Sequence, residues 1–457
     1  MGDVEHFLAR LGQLQRDKRI DWYPSDLVKQ LKRPKVRKEL DELEERSHHG
    51  DPVEVLPPGL LDLPVAGLDH IFFYRPGELV VDSEAADETR RMLRRELRAD
   101  PSQRSRSEGF EVLPVDTDDL PRLAKETYDK LTGRRNDDDD HGLVGPNHVL
   151  TSGPVDCGGP GTDPNNDLGE LKPPSGDAGR GVRVAVVDSG ILSLEELPAW
   201  MQNDLEYSDA DVENDYLARH RDGRFIRFPG VHGTFVTGII RQIAPGATIV
   251  VKRVLDRWGH ASEVELADAL TEVLECNPHI INLSLGCPGW DGKSTPVALR
   301  SVWGRIRTSR PPIVVVAAAG NKGTASPPYW PAAEEGVYGV GAVNRHGHVT
   351  DFSNHGRSVK LWALGDAVES VYATGPFRRK EKGILNRPFV GRAAWGGTSF
   401  AAPVVTGLIA ARMSADGTNA DVAAQAVVDD ALPTHGMSGL PPGHDGPAPM
   451  VTHGITI

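Results

Sequence analysis

The sequence predicts an α/β fold: a doubly wound parallel sheet flanked by helices, with a small N-terminal α/β domain ahead of it. Two observations carry this. From residue 181 onward, short and nearly continuous apolar runs rich in Val and Ile alternate with stretches of helical periodicity. Strands buried on both faces read as unbroken apolar runs, and strand–helix alternation builds a parallel sheet covered by helices. Before residue 134, a shorter strand–helix–strand–helix pattern has apolar faces of its own.

The elements follow in chain order. Residues 1–69 form a charged helical N-terminal segment. Val4, Phe7, Leu8, Leu11 and Leu14 recur at helical spacing, and Pro34–Glu45 is a second helical candidate. Pro and Gly breaks across 50–69 mark a loop. Residues 70–133 are the small α/β domain. There Ile71–Val81 reads as a strand interrupted at Pro76-Gly77, Glu84–Leu97 as a helix, Phe110–Val115 as a strand and Asp119–Leu131 as a helix. Residues 134–180, rich in Gly, Pro and Asp, have the composition of a solvated acidic linker. Its run Asp137–Asp140 lacks the alternating spacing of a calcium loop.

Residues 181–414 hold the main domain. Its expected strands are Val182–Val187, Thr248–Leu255, Ile280–Leu285 and Ile313–Ala318. Its expected helices are Thr234–Ile243, Glu263–Glu275 and Thr295–Arg307. Between the first strand and the first helix, Asn203–Pro229 is acidic, then basic; it reads as a solvated surface insertion or an extension of a cleft wall. Residues 415–457 carry a helix, Ala420–Ala431, and a Pro/Gly/His-rich tail.

A chain of 457 residues holds two or three domains. The net charge of −14 argues against a nucleic-acid partner, because phosphate binding needs clustered Lys and Arg. The first residues interleave apolar and charged side chains, unlike a secretory signal, and no run of about 18 apolar residues occurs. A cytoplasmic protein with no membrane contact is expected. Cys157, Cys276 and Cys287 form an odd, sparse set with neither disulfide nor zinc spacing, so they read as small buried thiols.

In parallel α/β sheets, functional groups gather beyond the carboxyl ends of the strands. Asp188 leaves the first apolar strand in the segment VVDSGI. His232 opens a helix in HGTFVTG, with a glycine behind it that permits close backbone approach. Ser399 follows paired glycines in GGTSFAAP and starts an apolar helix, where free N–H groups and the positive helix end meet its hydroxyl. Pro403 is placed in the first turn of that helix, where no intrahelical N–H is needed. Asn321 ends AAAGN, where its amide can donate into a cleft. Each alone has an ordinary reading as a turn former or a cap. Together they follow Asp, His, Ser, one of the known orders of a Ser–His–Asp triad.

With INLSLG and the later runs around Trp330-Pro331-Ala332 and Phe352-Ser353-Asn354, these segments resemble the subtilisin-like (subtilase) family over about residues 181–413. The resemblance implies a subtilisin-like fold and a serine endopeptidase acting on extended polypeptide. In it Ser399 is the nucleophile, His232 the base, Asp188 its orienting partner and Asn321 an oxyanion donor. It implies that Ser284-Leu285-Gly286 is an exposed edge for substrate backbone, with the loop at Gly259 on the other side. Ala318, Ala319 and Gly320 should line the primary specificity pocket. Tyr329 falls at the pocket floor and Lys322 at its rim, which favours a small or acidic residue before the cleaved bond.

No cofactor is implied. Family members often bind calcium, but no segment here matches a particular calcium site. The N-terminal region is expected either to bind the catalytic cleft as a pro-domain or to serve as a permanent module for a regulator. A non-catalytic peptide-binding protein and an esterase or transpeptidase remain the competing readings.

Overall fold

The computed structural model of the protein describes residues 23–24, 73–98, 108–117, 120–133, 142–152, 162, 164–166, 171–214, 216–220, 223–256, 259–376, 378–379, 383–384 and 388–431. The helices expected over Val4–Leu14 and Pro34–Glu45, the loop over 50–69, Asp137–Asp140, Cys157 and the tail after 431 lie outside these residues.

Alternation along the apolar runs divides the main domain into two layers. In the strand Arg183–Asp188, Val184 and Val186 join one buried cluster, while Ala185 and Val187 join the other. A strand presents successive side chains to opposite faces, so a continuous apolar run belongs between two layers of helices.

In chain order, the N-terminal part has β1 (Phe73–Asp82), α1 (Ala86–Met92), β2 (Phe110–Pro114), α2 (Leu120–Thr132) and β3 (Val144–Thr151). The main domain begins with β4 (Arg183–Asp188), β5 (Leu205–Glu206), α3 (His232–Ile243), β6 (Thr248–Arg253), β7 (His260–Ser262) and α4 (Glu263–Glu275). Then come β8 (Ile280–Leu283), α5 (Val297–Thr308), β9 (Val314–Ala318), β10 (Val337–Val343) and β11 (Leu361–Leu364). It ends with β12 (Val368–Gly375), β13 (Phe389–Trp395), α6 (Thr398–Asp416) and α7 (Ala420–Asp429).

Seven strands form a parallel sheet in the order β11-β10-β9-β8-β4-β6-β5. Helices α3, α6 and α7 pack on one face, and α4 and α5 on the other. Strands β10 to β13 are additions to the expected set; β12 and β13 pair antiparallel beside the site. Helix α4 is capped by Ser262, whose side chain accepts from Glu265 N while the Glu265 side chain accepts from Ser262 N in return. Among the described residues, no helix is long and apolar enough to cross a membrane.

The N-terminal strands make an antiparallel sheet, β2-β1-β3. Leu79 and Val81 pack with Leu120, Ala124 and Tyr128 of α2. Val80, Phe110 and Leu150, on the opposite face, pack with Leu266 of α4 and Ala298 and Trp303 of α5. The small domain therefore sits on the two outer helices of the main sheet.

Three expectations need correction. The linker over 134–180 contains β3, buried along its whole length, so the small domain runs on to Thr151. Gly145 and Pro146 mask it in the sequence. An added Cβ at Gly145 would lie 3.0 Å from Trp290 Nε1, so glycine is there for close packing rather than looseness. Pro76-Gly77 does not interrupt β1: the register with β3 slips between Arg75 and Leu79, and the strand continues through a bulge. In Asn203–Pro229, Asp211 and Glu213 are buried rather than solvated. Asp211 Oδ1 accepts Arg253 N at 2.9 Å, and Glu213 pairs with Arg253 at 3.1 Å.

Candidate active site

Three elements deliver Asp188, His232 and Ser399 to one point. Asp188 is the last residue of β4, His232 the first of α3, and Ser399 the second of α6. Their exposures are 0%, 1% and 3%. His232 Nδ1 donates to Asp188 Oδ1 at 2.8 Å, and the same oxygen accepts Ser189 N at 2.7 Å. Ser189 Oγ in turn accepts Gly233 N at 2.9 Å, which ties the strand end to the helix start. A Cβ at Gly233 would collide with the Gly190 carbonyl oxygen. The imidazole lies 5.4 Å from the Phe400 ring and 5.8 Å from the Trp395 ring, which limits its tilt. Sequence reasoning does not single out these two aromatics.

The Ser399 hydroxyl is engaged elsewhere. It donates to the Ser152 carbonyl at 3.1 Å and approaches the Ser284 carbonyl at 3.3 Å. His232 Nε2 is buried and has no hydrogen-bond partner among the described residues. The Asp188–His232 half of the constellation is thus assembled, while the hydroxyl is turned to a carbonyl of the chain itself.

Asn321 follows β9. Its Oδ1 accepts Thr398 N at 2.8 Å and Thr398 Oγ1 at 3.0 Å, so its Nδ2 is left as the free donor. Asn354 steadies the same loop, with Nδ2 donating to the Ala319 carbonyl at 2.9 Å and Oδ1 accepting Lys322 N at 2.9 Å. Beneath Ser399, Thr406 Oγ1 donates to Asn282 Oδ1 (2.9 Å), Asn282 Nδ2 to Ser284 Oγ (3.0 Å), and Ser284 Oγ to the Ser399 carbonyl (2.7 Å). Pro403 lies beyond the first turn of α6, contrary to expectation. Its missing N–H is the one that would bond the Ser399 carbonyl, and Ser284 Oγ takes that acceptor instead.

A recess beside Ser399 is lined by Leu285, Ala318, Gly320, Asn321, Lys322 and Tyr329, and its volume is about 20 Å³. Thr151 and Ser152 line the same recess, and Tyr329 narrows it further. Its hydroxyl donates to the Gly286 carbonyl at 2.8 Å, and its ring occupies the space that side chains at Gly286 and Gly320 would need. Ala319 does not line the recess. It packs with Val343, Val359 and Trp362 behind the loop.

The expected substrate edge is occupied by β3. Thr151 and Gly286 exchange both backbone bonds at 3.0 Å, and Ser152 N donates to the Gly259 carbonyl at 3.0 Å. On the other side β7 pairs antiparallel with β3, Ala261 opposite Leu150 and Ser262 opposite Val149. The edge is therefore covered rather than exposed; Ser284 and Leu285 are buried. Thr151 and Ser152 are site residues that sequence reasoning misses, since they fall inside the expected linker.

Among the described residues, no group of three or more His, Cys, Asp or Glu side chains could hold a metal ion. Among the described residues, Cys276 and Cys287 are not joined in a disulfide; Cys287 is buried and Cys276 half-buried.

The sequence profile of the subtilase family matches residues 179–440. A thermophilic serine proteinase from Bacillus sp. strain AK1 is 30% identical over 257 residues, 52% of this chain and 53% of that protein. Thermitase from Thermoactinomyces vulgaris is 28% identical over 254 residues, 53% of this chain and 78% of that protein. The chain thus spans about half the length of the first curated relative it matches. The crystal structure of fervidolysin from Fervidobacterium pennivorans superimposes with a TM-score of 0.53 at 18% identity, covering 83% of this chain and 60% of that one, a likeness of fold. A profile match across more than half of the sequence, over a parallel sheet with Asp, His and Ser at its strand and helix ends, places this chain in the subtilase family.

Proposed function

We propose that the protein is a serine endopeptidase that cuts polypeptide held in an extended conformation, and that residues 73–152 are an inhibitory pro-domain. The observation that carries this reading is the Ser399 hydroxyl, 3.1 Å from the Ser152 carbonyl at the end of a strand paired on both sides.

The chemistry follows from the donors and acceptors present. His232 gives its Nδ1 proton to a hydrogen bond with Asp188, which leaves Nε2 as the acceptor for the serine proton. Once β3 withdraws, Ser399 is free to turn from the Ser152 carbonyl to Nε2. Its oxygen then attacks a substrate carbonyl carbon as the proton passes to His232. The developing oxyanion is met by Asn321 Nδ2 and the Ser399 backbone N–H; loss of such an amide costs about 100–1000-fold in turnover. His232 returns the proton to the leaving amine, and water repeats the cycle on the acyl-enzyme. An extended substrate is required because the available partners are backbone groups of Gly286, Gly259 and β7, which pair as in a sheet.

The test compares the full chain with its Ser399→Ala form by intact mass, fluorophosphonate labelling and cleavage of a mixed peptide library. The wild type should label at Ser399, lose a fragment ending at or within two residues of Ser152, and cleave peptides; Ser399→Ala should do none of these. Cleavage and labelling without loss of the fragment would make 73–152 a permanent module. Absence of both labelling and cleavage would sink the endopeptidase reading.

A further inference from the structure

His148 lies on β3, four residues before Ser152, and its side chain is 1% exposed. It meets Glu263, the first residue of α4, which is 0% exposed. Glu263 Oε1 accepts His148 N at 3.1 Å and the ring Nδ1 at 2.9 Å. Glu263 Oε2 accepts Ala298 N at 2.8 Å, near the start of α5. At the far side of the ring, Trp290 N donates to His148 Nε2 at 2.9 Å. In these two bonds the imidazole meets one acceptor and one donor of the main domain. A neutral imidazole carrying its proton on Nδ1 satisfies both at once.

The carboxylate is built into the main domain, yet among the described residues Oε1 finds its partners only on β3. When β3 leaves, Oε1 loses both of these bonds, and Trp290 N–H loses its bond to the ring. A buried or half-buried polar group left unsatisfied is costly, so the next chain to enter is selected for restoring the bonds. A peptide in the same register supplies one backbone N–H to Oε1 whatever its sequence. The second bond to Oε1, and an acceptor for Trp290 N–H in the place of the ring nitrogen, call for a side chain. Lys and Arg offer donors but no acceptor, and Leu offers neither.

We infer that Glu263 and the Trp290 N–H form a substrate subsite that reads histidine four residues ahead of the residue taking the place of Ser152. This rests on the endopeptidase reading of the same cleft. It makes Glu263 a specificity residue and makes His148 the internal copy of the substrate side chain.

The experiment measures kcat/KM of the processed wild-type enzyme on peptides containing Asn-His-Val-Leu-Thr-Ser, and on the same peptides with Leu, Arg or Gln replacing His. A shortened peptide beginning at the Val reports cleavage without this position. The His peptide should exceed the Leu and Arg peptides by about 10-fold or more, mostly through KM. In Glu263→Ala the His-to-Leu ratio should fall to near one. Equal rates for His, Leu and Arg, with the shortened peptide cut normally, overturn the inference and leave the endopeptidase reading standing. An Arg peptide cut faster than the His peptide also overturns it, since the site would then read charge alone.

A second measurement needs no cleavage. In the full chain carrying Ser399→Ala, His148→Leu should raise amide exchange across 144–151 about 10-fold, and His148→Arg should do the same. Unchanged exchange in both overturns the inference even where no peptide is cut, while failure of Ser399 labelling in the wild type marks the separate failure of the endopeptidase reading.

Discussion

Thr151 and Gly286 exchange both of their backbone N–H···O bonds at 3.0 Å, and through this pair the small N-terminal sheet runs across the site of the main domain. β7 closes the other side of the same strand. On the endopeptidase reading, an incoming peptide competes with residues 144–152 for the same backbone donors and acceptors.

The competition has a direct consequence for Thr151→Pro. The substitution removes the N–H given to Gly286 and places a ring in a paired strand. A net hydrogen bond contributes about 0.5–1.5 kcal/mol. Freshly purified full chain carrying Thr151→Pro should hydrolyse a fluorogenic peptide roughly 10-fold faster than the wild type, the factor that about 1.4 kcal/mol sets. An unchanged initial rate would show that β3 does not limit access.

Asp188→Asn separates charge from shape. The asparagine can still accept Ser189 N, but its amide then faces His232 Nδ1 and forces the ring proton onto Nε2. The base is lost while the packing around Phe400 and Trp395 stays. Turnover should fall by about 10,000-fold, with a melting temperature close to that of the wild type. A loss of less than about tenfold would remove Asp188 from the proposed role.

Much of this is legible in the sequence, and the failures have identifiable causes. Asp188, His232, Ser399 and Asn321 stand at strand and helix ends that apolar runs mark clearly, so topology alone brings them together. Strand β3 is hidden because Gly145, Pro146 and Asn147 carry the composition of a loop. Its order comes from partners on both sides, which composition cannot report. Ser284 reads as an exposed edge residue. Its side chain instead points under Ser399, because Pro403 leaves a carbonyl there without an N–H. Ala319 reads as a pocket residue with its neighbours, but strand alternation turns it toward Trp362.

Tyr329 narrows the recess beside Ser399, which Thr151 and Ser152 also line. Tyr329→Ala removes the ring lodged beside Gly286 and Gly320 and enlarges a space of about 20 Å³. The wild type should favour Gly, Ala or Ser before the cleaved bond. The variant should shift toward Leu and Phe by about 10–200-fold in relative kcat/KM, the range set by fitting added methylenes into an apolar pocket. Strong wild-type cleavage after Phe would contradict the assignment.

His279 gives the stability a pH slope. Burial, and then the positive charge of Arg183, lower its pKa below the ordinary value of 6.5. Its Nδ1 accepts Arg183 N at 2.9 Å, a bond that protonation abolishes. The unfolded chain takes up the proton first as pH falls, so the contribution is present above about pH 6.5 and is lost as pH falls through the depressed value. Asn can accept the same N–H without titrating. Between about pH 6.5 and 5, the melting temperature of the Ser399→Ala chain should fall more steeply than that of the same chain with His279→Asn. Parallel curves would assign the acid sensitivity elsewhere.

Ser284 and Pro403 form a testable pair. Ser284 Oγ donates to the Ser399 carbonyl at 2.7 Å, the acceptor that the residue at 403 would use were it not proline. Ser284→Ala leaves this buried carbonyl without a donor, at a cost of about 1–3 kcal/mol. Pro403→Ala alone gains an N–H that competes for an acceptor already taken, and its effect should be small. In the double variant the backbone N–H gained at position 403 completes the helical bond to the Ser399 carbonyl and recovers most of the stability lost in Ser284→Ala. Denaturant unfolding of the four Ser399→Ala chains closes the cycle. A coupling of at least about 0.5 kcal/mol, above the usual error of additivity, is expected in the favourable direction. Additive losses would mean that the carbonyl finds water or another donor, and that Ser284 supports Ser399 by packing alone.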